Sequence, residues 1–192
     1  MTGTLNPVAF LYLRHGETDW NAAGLSQGNI DIALNQTGIV QAQAAASMLE
    51  NRGIRSIVSS PLSRAHDTAR VVAERLGLPV ELDEALREVA FGVQEGQPMA
   101  GWFNDWVDGR FTPAGGEHFS DLTARAVAAV NRATARDPLV LIVGHGAFFR
   151  AVRAAAGLVA NVRTKNATPI QMAPPAAGQA AWQLAALEPA TA

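Results

Sequence analysis

Apolar residues run without interruption from Val8 to Leu13 (VAFLYL) and again from Leu139 to Val143 (LVLIV). A strand with one wet face alternates apolar and polar positions, so unbroken runs of this length predict strands buried on both faces. Between them the period changes. Ile39, Ala42, Ala46 and Leu49 recur at helical spacing within Thr37–Asn51, and Gly53 lies just beyond, which predicts a helix. Leu62, Ala65, Ala69, Val72 and Leu76 repeat at steps of three and four and stop at Gly77. Ser60-Pro61 ahead of them predicts an N-cap followed by proline at the first helical position. Ser56–Ser59 and Pro79–Leu82 read as short strands, and Asp121–Ala135 and Ala147–Ala156 as helices. Residues 83–117 are irregular, with a short helix around Met99–Val107. Ile170–Met172 and Ala181–Leu187 are expected as edge strands, and Glu188–Ala192 as a loose tail.

Strands alternating with helices predict an α/β fold with a mainly parallel sheet and helices on both faces. No repeat, long linker or charge block divides the chain, so a single domain over 1–192 is expected. Its length and its 48% hydrophobic and 17% charged residues suit one sizeable core. The net charge of −2 gives no global reason to expect nucleic acid or an anionic membrane as a partner. With no cysteine, disulfides, thiolate metal sites and cysteine nucleophiles are excluded. The Val8–Leu13 run has no basic start and is too short for a signal peptide or membrane span, so a cytoplasmic location is expected.

The two strongest strands end alike, in Arg14-His15-Gly16 and in Gly144-His145-Gly146. Ligands of parallel sheets bind at the carboxyl ends of strands. If these two strands are neighbours, both histidines meet at one sheet edge, each before a helix start whose free N–H groups favour an anion. Arg14, and Arg64 at the start of the next helix, add the planar fork that grips phosphate oxygens. An unprotonated histidine nitrogen can attack phosphorus, a second histidine can donate to the transferring group, and a carboxylic acid can protonate the leaving oxygen.

Leu13-Arg14-His15-Gly16-Glu17-Thr18-Asp19-Trp20-Asn21 resembles the signature of the histidine phosphatase superfamily, which includes the phosphoglycerate mutases. Four further segments resemble that family in the same order: Ser60–Ala65 with Thr68-Ala69, Leu86-Arg87-Glu88 with Phe91-Gly92 and Glu95-Gly96, Gly115-Gly116-Glu117, and Val143-Gly144-His145-Gly146. The resemblance implies a three-layer α/β/α sandwich of the phosphoglycerate mutase-like kind. It implies a phosphomonoester hydrolase that forms a phosphohistidine on a small phosphorylated metabolite, without metal or other cofactor. By the same resemblance His15 takes the phosphoryl group; Arg14, Arg64 and His145 hold its oxygens; Glu88 supplies the proton. Asn21, Thr18 and Gly146 are expected to bind substrate.

Alternatives stand beside this. A cofactor-dependent phosphoglycerate mutase, or a non-catalytic phosphate-binding module, shares the same residues. Mutases of the family carry a long insertion between acid and second histidine; the 57 positions from Glu88 to His145 resemble the compact phosphatase form. Glu95 competes with Glu88 for the role of acid. Glu17 reads as a helix-start carboxylate, Arg87 as a supporting residue and His66 as structural. His118 stands where the family usually has serine, and Gln94 where it often has tryptophan, so the local pocket is open on both counts. Trp20, Trp102, Phe103 and Trp106 read as core, the last three also as a pocket wall. Within 96–118, Asp105, Asp108, Arg110 and His118 suggest polar substrate contacts. Two histidines and Glu88 could also hold zinc, against which the flanking arginines argue. Homodimerisation is left open.

Overall fold

The computed structural model describes residues 3–187. The expected tail Glu188–Ala192 lies outside them. In chain order the elements are β1 (Phe10–Arg14), α1 (Asp19–Ala22), α2 (Gln36–Leu49), β2 (Ser56–Ser59), α3 (Ser63–Leu76), β3 (Val80–Leu82), α4 (Trp102–Val107), α5 (Phe119–Thr134), β4 (Val140–Gly144), α6 (Gly146–Ala155), β5 (Pro169–Ala173) and β6 (Gln183–Ala186). Two single turns of 3-10 helix, Glu84–Leu86 and Gly92–Gln94, punctuate the stretch after β3.

The strands form one sheet in the order β3-β2-β4-β1-β5-β6. The first four are mutually parallel, and β5 and β6 run antiparallel. The two unbroken apolar runs are thus the central pair. They are buried on both sides because alternate residues serve two cores. Phe10, Tyr12, Val140 and Ile142 pack with α5 and α6, while Leu11, Leu13, Leu141 and Val143 pack with α2 and α3. Each such side chain contributes about 1.5–3 kcal/mol by leaving water. Arg14 pairs in register with Gly144, so the residue after each, His15 and His145, leaves the sheet at the same edge.

Three local expectations need correction. Ser60 does not cap α3: Leu62 holds the N-cap position without a side-chain bond, and the helix starts at Ser63. Asp31, from a distant loop, accepts the Ser63 N–H at 2.8 Å and supplies the missing acceptor. The helix expected from Met99 begins at Trp102, because Pro98 bridges to Leu25 and the Met99 N–H bonds the Gly24 carbonyl at 3.1 Å. That pairing holds 98–99 extended against the loop after α1. Finally, β6 is an edge strand, but β5 lies inside the sheet between β1 and β6.

Candidate active site

His15 follows β1, and its N–H continues the ladder to the Gly144 carbonyl at 3.0 Å. Gly16 then turns so tightly against α2 that a Cβ there would run into the Gly38 carbonyl. Its N–H bonds Thr68 Oγ1 at 3.0 Å, and its carbonyl lies 2.7 Å from His15 Nδ1. A carbonyl only accepts, so Nδ1 carries the proton and Nε2 keeps a free lone pair. Burial, with the charges of Arg14 and Arg64, holds the His15 pKa well below its ordinary 6.5. The ring is therefore neutral at pH 7.

His145 is the N-cap residue of α6 and makes no side-chain cap bond. The Tyr12 hydroxyl, fully buried on β1, donates to its carbonyl at 2.8 Å and accepts from its N–H at 2.7 Å. The ring Nε2 is 2.7 Å from Ser60 Oγ. Ser60 Oγ also accepts the Leu62 N–H at 3.3 Å, and among the described residues its own hydrogen has no acceptor other than Nε2; donated there, it places the imidazole proton on Nδ1. Nδ1 is buried and has no partner. Burial and the nearby Arg64, His15, Arg14 and Arg125 lower this pKa as well. The two rings lie with centroids 5.3 Å apart.

Both arginines are tied down by carbonyls. Arg14 Nη1 donates to Thr164 O at 2.7 Å; Arg64 Nη1 and Nη2 donate to Ile30 O and Gly28 O at 2.9 and 2.8 Å. In each the Nε is buried without a partner. Burial pulls both pKa values down to about 10, so both remain cationic at pH 7. Asn21 Oδ1 accepts from Thr18 N–H at 3.3 Å and Asn166 Nδ2 at 3.2 Å, which leaves its NH2 to donate. Asn166 also donates to His15 O at 2.9 Å.

Glu88 accepts three backbone N–H groups. Oε1 takes Val89 and Phe148, and Oε2 takes Ala147 at 2.9 Å. Oε2, with one bond against two on Oε1, therefore retains a lone pair. Glu95 is engaged elsewhere. Its Oε1 accepts from Asn29 N–H at 3.0 Å and Phe91 N–H at 3.1 Å and braces the 26–30 loop. Arg125 pairs through two nitrogens with Glu117 and donates to the carbonyls of Ala85 and Arg87, so the Gly115-Gly116-Glu117 motif supports the backbone that carries Glu88.

A cavity of about 300 Å³ lies among these groups, with the fully buried His145 behind its lining. Arg14, His15, Asn21, Arg64, Glu88 and Gly146 line it, while Glu95 does not. Gly146 comes so close to Arg14 that an added Cβ would lie 3.3 Å from its Nε. Thr18 stays outside the lining: its side chain caps α1 by accepting from Asn21 N–H at 3.1 Å and so orients Asn21. Nor are the helix starts wholly free for an external anion, the Gly146 N–H excepted. α1 is capped by its own Thr18–Asn21 box, and the Ala147 and Phe148 N–H groups of α6 are taken by Glu88.

From the 96–118 segment only Met99 and Phe103 reach the cavity. Asp105 and Asp108 pair with Arg110 at the surface, and the exposed His118 bonds Thr112. Trp106 is fully buried core. Arg87 pairs with Glu84, and Glu17 accepts from Asn35, both away from the lining. Among the described residues no three His, Asp or Glu side chains form a metal-holding group, and the Glu88 oxygens are turned to backbone N–H groups. No described helix is long and apolar enough to cross a membrane. Sequence reasoning gave no role to Tyr12, Arg125, Arg150, Arg163 or Asn166 and read Ser60 as a helix cap. These residues act across the fold, so no local signal marked them.

Residues 10–172 match the model of the histidine phosphatase superfamily, branch 1. The chain is 38% identical over 161 residues to the glucosyl-3-phosphoglycerate phosphatase of Mycobacterium tuberculosis, covering 74% of this chain and 72% of that protein. It is 45% identical over 87 residues to a Yersinia pestis protein named "Probable phosphoglycerate mutase GpmB", a match that spans 40% of that protein. The solved structure of a mycobacterial glucosyl-3-phosphoglycerate phosphatase with VO3 superposes with a TM-score of 0.81 at 34% identity, over 92% of this chain and 97% of that one. With the paired strand ends and their two histidines, these matches make the chain a member of the histidine phosphatase superfamily, with its phosphoglycerate mutase-like α/β/α fold.

Proposed function

We propose that the protein hydrolyses a small phosphomonoester through a phosphohistidine on His15. The observation that carries this reading is that Arg14 Nε, Arg64 Nε and His145 Nδ1 are each buried without a partner, while Arg14 and Arg64 line one cavity with His15, whose own Nε2 is free and whose ring lies 5.3 Å from that of His145. Such atoms are costly to bury alone, and an oxyanion answers all three at once. In the proposed reaction His15 Nε2 attacks phosphorus in line with the leaving oxygen. The three equatorial oxygens receive Arg14, Arg64, His145 Nδ1–H and the Asn21 amide, and the Gly146 N–H joins them at the head of α6. Glu88, with a proton on Oε2, gives it to the departing alkoxide. It then takes a proton from water as that water opens the phosphohistidine.

Hydrolysis is favoured over phosphoryl return to a second position by two facts. The relative named as a phosphatase matches three quarters of this chain, whereas the one named as a mutase matches under half. The Glu88–His145 interval is also compact. The decisive experiment is a rapid, acid-free quench with labelled phosphomonoester, with released phosphate measured in parallel. Label should appear on the wild-type protein and be absent from His15→Ala, with inorganic phosphate as the product. Label retained in His15→Ala, or efficient interconversion of monophosphoglycerates with little phosphate released, overturns the proposal.

A further inference from the structure

The chain holds a single tyrosine, Tyr12, in the middle of β1 among apolar neighbours. Its ring is fully buried and stacks on Phe149 of α6, with centroids 4.2 Å apart. A phenylalanine ring could make the same packing, so the hydroxyl is the part that packing does not require. It reaches the junction of β4 and α6, where it donates to the His145 carbonyl at 2.8 Å and accepts the His145 N–H at 2.7 Å. Burial, with the Glu88 charge, pushes its pKa well above the ordinary 10, so it stays protonated and keeps donating. Gly144 makes the approach possible. A Cβ there would lie 2.6 Å from the hydroxyl oxygen, and the three atoms nearest to it all belong to Tyr12.

Peptide planarity turns these two bonds into an aim. The N–H belongs to the peptide before the His145 Cα, and the carbonyl to the peptide after it. Holding both planes fixes the direction in which Cβ leaves the backbone, and so the point from which the imidazole starts. Ser60 then fixes the ring. The second peptide also carries the Gly146 N–H, which points opposite to the held carbonyl. Gly146 lines the cavity, and its N–H is not among the groups by which α6 holds Glu88. One hydroxyl thus sets two donors of the proposed phosphoryl cradle, His145 Nδ1–H and Gly146 N–H. It does so from β1, the strand that ends in Arg14 with His15 next. His145 has no local substitute for this hold. Its backbone is extended, at φ −130° and ψ 170°, its side chain makes no cap bond, and besides Tyr12 its carbonyl has the Phe149 N–H at 3.1 Å.

We propose that Tyr12 is a positioning residue for phosphoryl transfer, whose hydroxyl registers the His145 and Gly146 donors against the strand that carries Arg14 and His15. The inference rests on the phosphatase reading above. The test uses the full chain with Tyr12→Phe, which keeps the ring and removes both bonds. Val130→Ala, in the core of α5 and away from the cavity lining, is the comparison for lost stability alone. In Tyr12→Phe, kcat and the single-turnover rate of label transfer to His15 should each fall about 10-fold, with KM within about twofold of wild type. The loss should be equal for alkyl and nitrophenyl phosphates, because these donors act on the phosphoryl oxygens and not on the leaving group. Val130→Ala should keep wild-type kinetics at an equal or larger fall in urea midpoint. Gly144→Ala presses a methyl group on the hydroxyl, so it should lower kcat in the wild-type background and add little to Tyr12→Phe. If Tyr12→Phe does not fold, Gly144→Ala alone carries the test, through the same loss of kcat at unchanged KM. Unchanged kcat, a loss matched by Val130→Ala, a loss confined to alkyl phosphates, or additive losses in the double variant would overturn the assignment. Any of these outcomes, with wild type active on the esters, sinks this inference alone. A wild type that hydrolyses neither ester sinks the phosphatase reading and the inference with it.

Discussion

The two histidine loops look alike in sequence and are wired in opposite ways. His15 obtains its tautomer locally, from the carbonyl of the next residue, at 2.7 Å. His145 obtains its tautomer from Ser60, 85 positions away, and its backbone placement from Tyr12, 133 positions away. The helix after His15 caps itself, whereas the helix after His145 gives its first N–H groups to Glu88. The difference suits the proposed roles. A nucleophile has to present one lone pair in one direction whatever the rest of the site does, and a bond within its own turn guarantees that. A donor to the transferring group has to agree with the cradle and the acid, so it is set by the elements that carry them: Ser60 just before α3 with Arg64, and α6 with Glu88.

The largest effect that can break this comparison comes from the charges the two loops share. Arg14→Ala and Arg64→Ala should each lower kcat/KM on the order of 10²-fold or more, since each removes a preorganised donor from the developing charge. Lysine should rescue only in part, because it lacks the fork. Normal kinetics for Arg64→Ala would make that residue a brace for the Gly28 and Ile30 carbonyls alone. Next in size, Glu88→Gln should cost alkyl phosphate hydrolysis roughly 10²-fold and nitrophenyl phosphate hydrolysis far less, because only the poor leaving group needs the proton as its bond breaks. Glu95→Gln should show no such selectivity. Selective loss in Glu95→Gln, with none in Glu88→Gln, would move the acid to the other glutamate.

The contrast in tautomer control sharpens with Ser60→Ala. Nitrogen NMR of the wild-type imidazoles should show the proton on Nδ1 in both rings. In Ser60→Ala only His145 should lose that preference, with kcat falling about 10-fold, the scale of one neutral hydrogen bond in the transition state, and KM changing little. A shift in the His15 signal, or none in His145, would contradict the assignment of separate controls.

The smallest expected effect is on stability. Both histidines are neutral in the fold, with pKa values held well below 6.5, while in the unfolded chain they titrate near that value. As pH falls below about 6.5 the unfolded chain binds protons that the fold refuses, so stability present above that pH is lost progressively as pH drops towards the folded pKa values. Urea unfolding midpoints should therefore decline from pH 7 to pH 5, and the decline should be shallower in His15→Asn. An identical slope in that variant would assign the loss to other groups.

Much of the fold was legible along the chain because burial on both faces leaves a signal that needs no partner to be seen. VAFLYL and LVLIV read as strands buried on both faces, which they are, and Gly77 ends α3 in the left-handed conformation, at φ 66°. The placement of α3's start was not legible, since Asp31 lies far from Ser63 in sequence, and neither was β5 as an interior strand, since it depends on β6 pairing beyond it. In the candidate site, Arg14, His15, Asn21, Arg64, Glu88 and Gly146 were named from motifs and line one cavity, while His145 lies behind that lining and Thr18 caps α1, a place that a threonine in the motif does not reveal by itself.

The sequence by itself determined which residue types stand at the ends of two strands buried on both faces, and hence that two histidines and an arginine would leave one sheet edge if those strands were neighbours; the strand order and register that make them neighbours came from the tertiary structure. Tertiary structure alone decided protonation and supply. It placed Ser60 against His145, turned Glu88 rather than Glu95 into the cavity, and brought Arg150 and Arg163 to the mouth beside Arg14. Those choices depend on hydrogen-bond partners and charges that the chain supplies from dozens of positions away. A local pattern can mark the groups that need partners, but the partners are chosen only when the sheet and its two helical layers close around them.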